Sequence, residues 1–181
     1  EEKDKYQKKI EKTLKIKRVL IEKDQYSYFS NWYVPIIREI TSLKTFVNHL
    51  NWISRKLVFK INEEKIKKAL QILERLRMIV YEKNQWKQNK EHLTTKNELS
   101  SDIVHNYQKK MLELSIKAAD LPIQDRDISS MTMSLSEIQF KRLKKKLLEF
   151  RDEIQQELQD SSEKTEMVGQ LNVQLFRLTR K

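Results

Sequence analysis

Apolar residues return at helical spacing along most of this chain and alternate with polar ones only in short stretches. From Lys5 to Glu22, Tyr6, Ile10, Leu14 and Ile21 fall near one stripe among lysines, which predicts an amphipathic helix. The stretch "YSYFSNWYVPIIREI" follows. Ser30 is placed to cap a helix there, and Pro35 falls early enough in it to cost little hydrogen bonding. In "TFVNHLNWISRKLVF", Phe46, Leu50, Ile53 and Leu57 are spaced as one helix face. Asn62 is expected to cap the next helix, where Ile66, Ala69, Leu70, Leu73 and Leu76 recur at i, i+3, i+4, i+7 and i+10. Ile79 to Tyr81 and Trp86 to Gln88 flank a turn at Glu82 to Gln85 and predict a two-stranded hairpin. Three helices and a hairpin in this order predict a winged helix-turn-helix.

Beyond it, Thr95 with Glu98 resembles a capping box opening a helix from Ser100 to Ala119, which Leu121-Pro122 ends. "RDISSMTMSLS" then alternates, with Met131, Met133 and Leu135 on one side and Ser130, Thr132 and Ser134 on the other. Ser136 with Gln139 is a second capping-box pattern, opening a long helix to about Asp160. "EMVGQLNVQLFRLTR" alternates again. Strand, helix, strand is a crossover unit, so a parallel pair under the long helix is expected. The fold class read from the pattern is therefore α+β, mostly helical: a winged helix-turn-helix followed by a helix and a strand-helix-strand unit. The corresponding divisions are an N-terminal linker helix (1–25), a winged-helix domain (26–97) and a C-terminal α+β domain (98–181).

Composition narrows the chemistry. One glycine and two prolines in 181 residues leave room for few, short loops and for no glycine-rich phosphate cradle. There is no cysteine, so disulfides, thiolate zinc sites and cysteine nucleophiles are excluded. No secretory or membrane-spanning run is visible, and a cytoplasmic location is expected. Because the first residue is Glu1 and not Met, further residues are expected upstream. The formal net charge is +11. It is concentrated in the first hundred residues, which hold 23 basic and 13 acidic side chains. Such an excess suits a polyanionic partner, and equally a plain lysine-rich surface.

On the third helix, spacing sets Glu64, Lys68, Gln71 and Arg75 opposite the apolar face. Lys68 and Arg75 suit phosphates and Gln71 suits adenine, while Glu63 and Glu64 would repel a phosphate backbone. Glu64 and Lys68 are also spaced to pair with each other. In the hairpin, Lys83, Lys87 and Lys90 surround Trp86, as a basic tip lying along phosphates would. Tyr28, Phe29, Trp32 and Tyr33 form a dense cluster that suits packing between helices or, alternatively, ligand stacking.

His49, His92 and His105 lack metal-ligand spacing, and no clustered nucleophile and base is visible. Neither an enzyme nor a metal or other cofactor is expected. Arg126 and Asp127 form either a charged turn or a clamp for a small anionic effector. Asn172 and Gln174, with Gln170, line one side of the last alternating stretch and could extend such a site. Phe140, Leu143, Leu147, Phe150, Ile154 and Leu158 step by threes and fours, as a dimer seam or as a stripe against a sheet.

Taken together, "YSYFSNWYVPIIREI", "RDISSMTMSLS" and "VGQLNVQLFRLT" resemble signatures of a paralogous family of largely uncharacterised proteins of fibre-degrading and predatory bacteria, labelled as transcriptional regulators. The resemblance runs from about Tyr26 to Thr179. It departs at Gly169, where the family tends to an aromatic residue, and at Arg177, where it tends to proline. It implies an upstream repressor-like helix-turn-helix and identifies this region as the C-terminal domain of unknown function. The functional expectation is an effector-sensing and dimerisation module of a regulator, homodimeric, with DNA reached through the wing or the upstream domain. The alternative is an autonomous winged-helix nucleic-acid-binding protein.

Overall fold

A computed structural model describes residues 24–89 and 101–180. The expected helix from Lys5 to Glu22, the Thr95–Glu98 capping box, Lys90 and His92 lie outside them. The architecture is mostly helical with one small antiparallel sheet. The chain divides into two compact units, Glu1–Met111 with Thr165–Val168, and Leu112–Lys164 with Gly169–Lys181.

In the first unit, residues 24–30 are helical and are followed by α1 (Tyr33–Ile40), α2 (Leu50–Lys56) and α3 (Glu63–Arg75). Ser30 does not cap α1: the N-cap position is Trp32, which is itself in a helical conformation and makes no capping bond. The cause is that the aromatic stretch is already helical up to Ser30, so that Ser30 ends one helix and does not start the next. α2 is shorter than its apolar spacing. Phe46 and Leu57 lie just outside it yet are buried with Ile53, because extended flanks can deliver side chains to a core as well as a helix can.

α3 follows its pattern closely. The Asn62 side chain accepts from the Lys65 backbone N–H at 3.0 Å and caps it. Ile66, Ala69, Leu70 and Leu73 are buried against α1 and α2. Removing a large side chain there, as in Leu73→Ala, costs on the order of 2–5 kcal/mol. The helix ends in a Schellman motif. The Met78 N–H donates to the Leu73 carbonyl at 2.9 Å and the Arg77 N–H to that of Glu74 at 2.8 Å. Arg77 holds the left-handed position usually given to glycine, with φ 57°.

β1 (Ile79–Glu82) pairs antiparallel with β2 (Gln85–Gln88), with Ile79 opposite Gln88 and Glu82 opposite Gln85. The connection is a two-residue turn. Both central residues have positive φ, Lys83 at 49° and Asn84 at 63°, the type I′ geometry that matches strand twist. Ile79 is buried and Trp86 and Gln88 are half-buried, while Lys87 and Gln85 face water. The hairpin is held to the helices by polar contacts. Gln88 Nε2 donates to the Arg38 carbonyl at 3.0 Å and to Glu39 Oε2 at 2.9 Å. Gln85 Nε2 donates to the Phe46 carbonyl at 3.3 Å.

A late segment closes this unit. The Lys44 N–H donates to the Thr165 carbonyl at 2.9 Å, and Thr165 Oγ1 donates to the Ser42 carbonyl at 2.7 Å. Lys44 Nζ meets Glu166 Oε1 at 2.6 Å, and Val168 packs on the core. Helix α4 (Ser101–Ala118) contributes Tyr107, whose ring meets Phe29 edge-on at 5.6 Å. Tyr28 and Phe29 are in similar contact at 4.8 Å, and Trp32 touches Tyr33 and Phe59, so this aromatic cluster packs largely on itself and on its neighbours.

The second unit holds the end of α4, a 3-10 turn (Ile123–Asp125) and α5 (Glu137–Asp160). The capping box at the head of α5 is complete: Gln139 N–H donates to Ser136 Oγ at 3.2 Å, and Ser136 N–H to Gln139 Oε1 at 2.8 Å. The expected strand-helix-strand unit is not formed. Among the described residues the only sheet is β1–β2, and the stretches carrying Met131, Met133 and Leu135, and Leu171, Val173 and Phe176, form no ladder. Alternation fixes which way side chains point in an extended chain, but a strand also needs a partner edge, and the chain does not pair these two stretches. Arg177 instead returns to α5, with Nη2 on Glu137 Oε2 at 2.6 Å and its guanidinium 5.0 Å from the Phe140 ring centre. Gly169 has open space where a Cβ would stand.

Candidate nucleic-acid interface and effector residues

Two cations of α3 are already engaged, while Lys65 and Lys67 on the same helix are exposed. Lys68 Nζ lies 2.7 Å from Glu64 Oε1, one turn earlier. Their mutual hydrogen bond holds the Glu64 carboxyl below its ordinary range and the Lys68 ammonium above its own. Arg75 is bound in bidentate fashion to Asp24, Nε to Oδ2 at 2.6 Å and Nη2 to Oδ1 at 2.7 Å. The Asp24 side chain is 9% exposed and that of Arg75 51%. The Arg75 guanidinium is pushed further up in pKa, first by its hydrogen bond to Asp24. Gln71 is exposed between these two engaged cations. Of the three α3 residues suited to DNA, one polar side chain is left facing water without a charge partner.

The hairpin is arranged differently. Lys83 projects from the turn and is exposed. Lys87 lies 3.8 Å from Glu82, a loose cross-strand pair with both side chains well solvated. Trp86 stacks edgewise on Tyr81 at 4.8 Å and packs against the core, so its ring supports the hairpin from within. The tip is fixed from the other side by Asn48, whose Nδ2 donates to the Asn84 carbonyl at 3.2 Å. Tyr81 Oη donates to Asn84 Oδ1 at 2.7 Å. Asn48 and Asp24 were not singled out by the sequence, since each acts on a residue far along the chain and sits in no motif.

In the second unit, Arg126 Nε donates to the Leu121 carbonyl at 2.8 Å and closes the 3-10 turn. Asp127 and Gln174 are exposed. Asn172 Nδ2 donates to Ser115 Oγ at 2.6 Å, and Gln170 Nε2 to Asn172 Oδ1 at 2.9 Å. Arg126 and Asn172 thus bind different parts of α4 and its exit turn, each in a bracing role. His49 and His105 stand apart, and among the described residues no group of three His, Cys, Asp or Glu could hold a metal. No helix of the described residues is long and apolar enough to cross a membrane.

Among the described residues of the first unit, one titrating group is strongly perturbed. Burial pushes the Tyr28 hydroxyl up to about 12, with the nearby Arg38 charge partly opposing. Tyr107 and Tyr33 are raised for the same first reason.

A family model described as "Domain of unknown function (DUF4423)" matches residues 10–178, and the chain belongs to that family. No curated protein matches, and no solved structure matches.

Proposed function

We propose that this family member is the effector-sensing and dimerisation module of a transcriptional regulator, built around a winged-helix unit whose third helix has given up operator reading. The supporting observation is the engagement of that helix. Lys68 is paired with Glu64, and Arg75 is bound by Asp24 from 51 residues upstream. A reading helix needs free cations and amides towards the groove. The order α1, α2, α3, β1, β2 supports the winged-helix reading. At the hairpin tip Lys83 and Lys87 are exposed and one loose pair competes, and on α3 Lys65 and Lys67 are exposed as well. Contact there would be with phosphates, sequence-tolerant and sensitive to salt. For an effector, Asp127 and Gln174 are the exposed candidates, with Arg126 and Asn172 bracing the backbone and α4 beside them.

A titration of the chain with duplex DNA across a range of salt tests this reading. We expect weak binding that collapses as salt rises, with Lys83→Glu and Lys87→Glu together lowering the log–log slope by about 2. Tight, sequence-selective binding lost on Gln71→Ala would overturn it in favour of an autonomous DNA-reading protein. That second reading draws on one observation, the concentration of positive charge in the first hundred residues.

A further inference from the structure

The second unit leaves most of its large apolar side chains in water. Among its described residues Leu114 is the one buried apolar side chain, and α5 buries none. Leu158 is 72% exposed and Phe176 68%, with Ile138, Leu148 and Phe150 also exposed. On the outer stripe of α5 itself Phe150 and Leu158 are exposed, while Phe140, Leu143, Leu147 and Ile154 are half-buried.

The charges of α5 say what would cover it. From Glu137 to Leu148 there are five basic residues and one acidic; from Glu149 to Asp160 there are five acidic and one basic. This division runs against the helix macrodipole, which prefers acids near the N-terminus and bases near the C-terminus. It also produces the Lys145–Glu149 pair in the less favourable order, lysine first, at 3.4 Å. Nothing inside the helix explains it. A second copy of the same helix lying antiparallel does.

We propose that α5 pairs antiparallel with α5 of a second copy of this chain, through the stripe formed by Phe140, Leu143, Leu147, Phe150, Ile154 and Leu158. At 100° per residue these six fall within about 80° of the helix surface, the width of a coiled-coil seam. The register follows from the spacing. Leu147 packs opposite Phe150 of the second copy and Leu143 opposite Ile154, with Phe140 and Leu158 at the two ends of the seam, where Arg177 already rests on the Phe140 ring. On one flank, offset by about two residues from this register, Lys146 comes near Glu153 and Arg142 near Glu157 of the second copy. By symmetry each pair occurs twice. Among the described residues none of these four makes an ion pair within its own chain. A parallel arrangement would set the basic halves side by side and is excluded by repulsion. The pairing names the dimer surface of the regulatory reading above, but it is independent of any contact with DNA.

Sedimentation equilibrium of the full chain tests it. The parent is expected to dimerise. Arg142→Glu with Lys146→Glu makes one flank wholly acidic and weakens self-association by roughly tenfold to a hundredfold. Glu153→Lys with Glu157→Lys does the same with the opposite sign. An equimolar mixture of the two double variants forms a heterodimer, and the chain carrying all four changes regains the parent's affinity. Helicity by circular dichroism confirms that each variant is folded. A parent that stays monomeric at its highest attainable concentration overturns the pairing, as does a dimer that neither charge reversal weakens. A dimer that ignores duplex DNA retains the pairing and removes the wing contact; a monomer that binds duplex does the reverse.

Discussion

Replacing Arg75 by methionine should cost more than replacing its partner Asp24 by asparagine, although the two substitutions break the same ion pair. The carboxylate is almost withdrawn from solvent, with 9% of its side chain exposed, while half of the arginine remains wet at 51%. Removing the guanidinium strands a buried charge whose two hydrogen bonds, at 2.6 and 2.7 Å, have no replacement. Breaking a fully buried pair costs about 3–5 kcal/mol and an exposed one about 0–1. With one partner in each class, and solvent screening on the arginine side, Arg75→Met is expected to cost about 2–3 kcal/mol. Asp24→Asn keeps the shape, leaves the guanidinium hydrated and is expected to cost about 1 kcal/mol. Trp32, Trp52 and Trp86, the three tryptophans of the chain, all lie in this unit, so urea unfolding followed by tryptophan fluorescence reads its stability directly. Equal costs, or a larger cost for Asp24→Asn, would refute the asymmetry and with it the view that Arg75 is held for structure. A variant as stable as the parent but weaker on duplex DNA would return Arg75 to the reading surface.

Arg77→Gly is expected to stabilise the first unit by about 0.5–1 kcal/mol. It relieves a left-handed φ of 57° on an exposed arginine, and glycine's extra freedom in the unfolded chain offsets only part of the gain. Urea midpoints decide it. Ser136→Ala removes one half of the capping box of α5 and should cost about 1 kcal/mol, visible as faster amide exchange in the first turn of that helix. The Tyr28 hydroxyl, raised to about 12 in the fold from 10.0, stays neutral there after an unfolded tyrosine has begun to ionise. The associated stability is therefore complete below pH 10 and is lost between pH 10 and 12, to a total of about 2–3 kcal/mol. Alkaline unfolding, followed together with tyrosinate absorbance, should move to higher pH in Tyr28→Phe.

What the sequence made legible was local. Asn62 and Ser136 cap where their spacing says they should, because a cap and its helix lie within three residues. The hairpin was visible in the apolar run before Tyr81 and the return through Trp86, but its turn was drawn too wide. Lys83 and Asn84 take left-handed geometry without a glycine to signal it, and Arg77 does the same at the end of α3. The two alternating stretches misled for a different reason. Side-chain period reports an extended backbone and not the presence of a neighbouring edge, and pairing is a property of the whole fold. The candidate site was half visible. Lys68 could be seen to have Glu64 one turn away, whereas nothing near Arg75 announced an aspartate 51 positions earlier.

The return of Thr165 to Ser42 and Lys44, with Val168 against the apolar interior, has a consequence for how the protein is made. The hairpin leaves the ribosome long before residue 165 does. At about 5–20 residues per second the wait is on the order of ten seconds. Throughout it, the nascent N-terminal half stands with its seam unsealed and is a natural client for chaperones. A nonsense codon anywhere in α5 would yield a product permanently in that condition, so late truncations should be lost to proteases as readily as early ones.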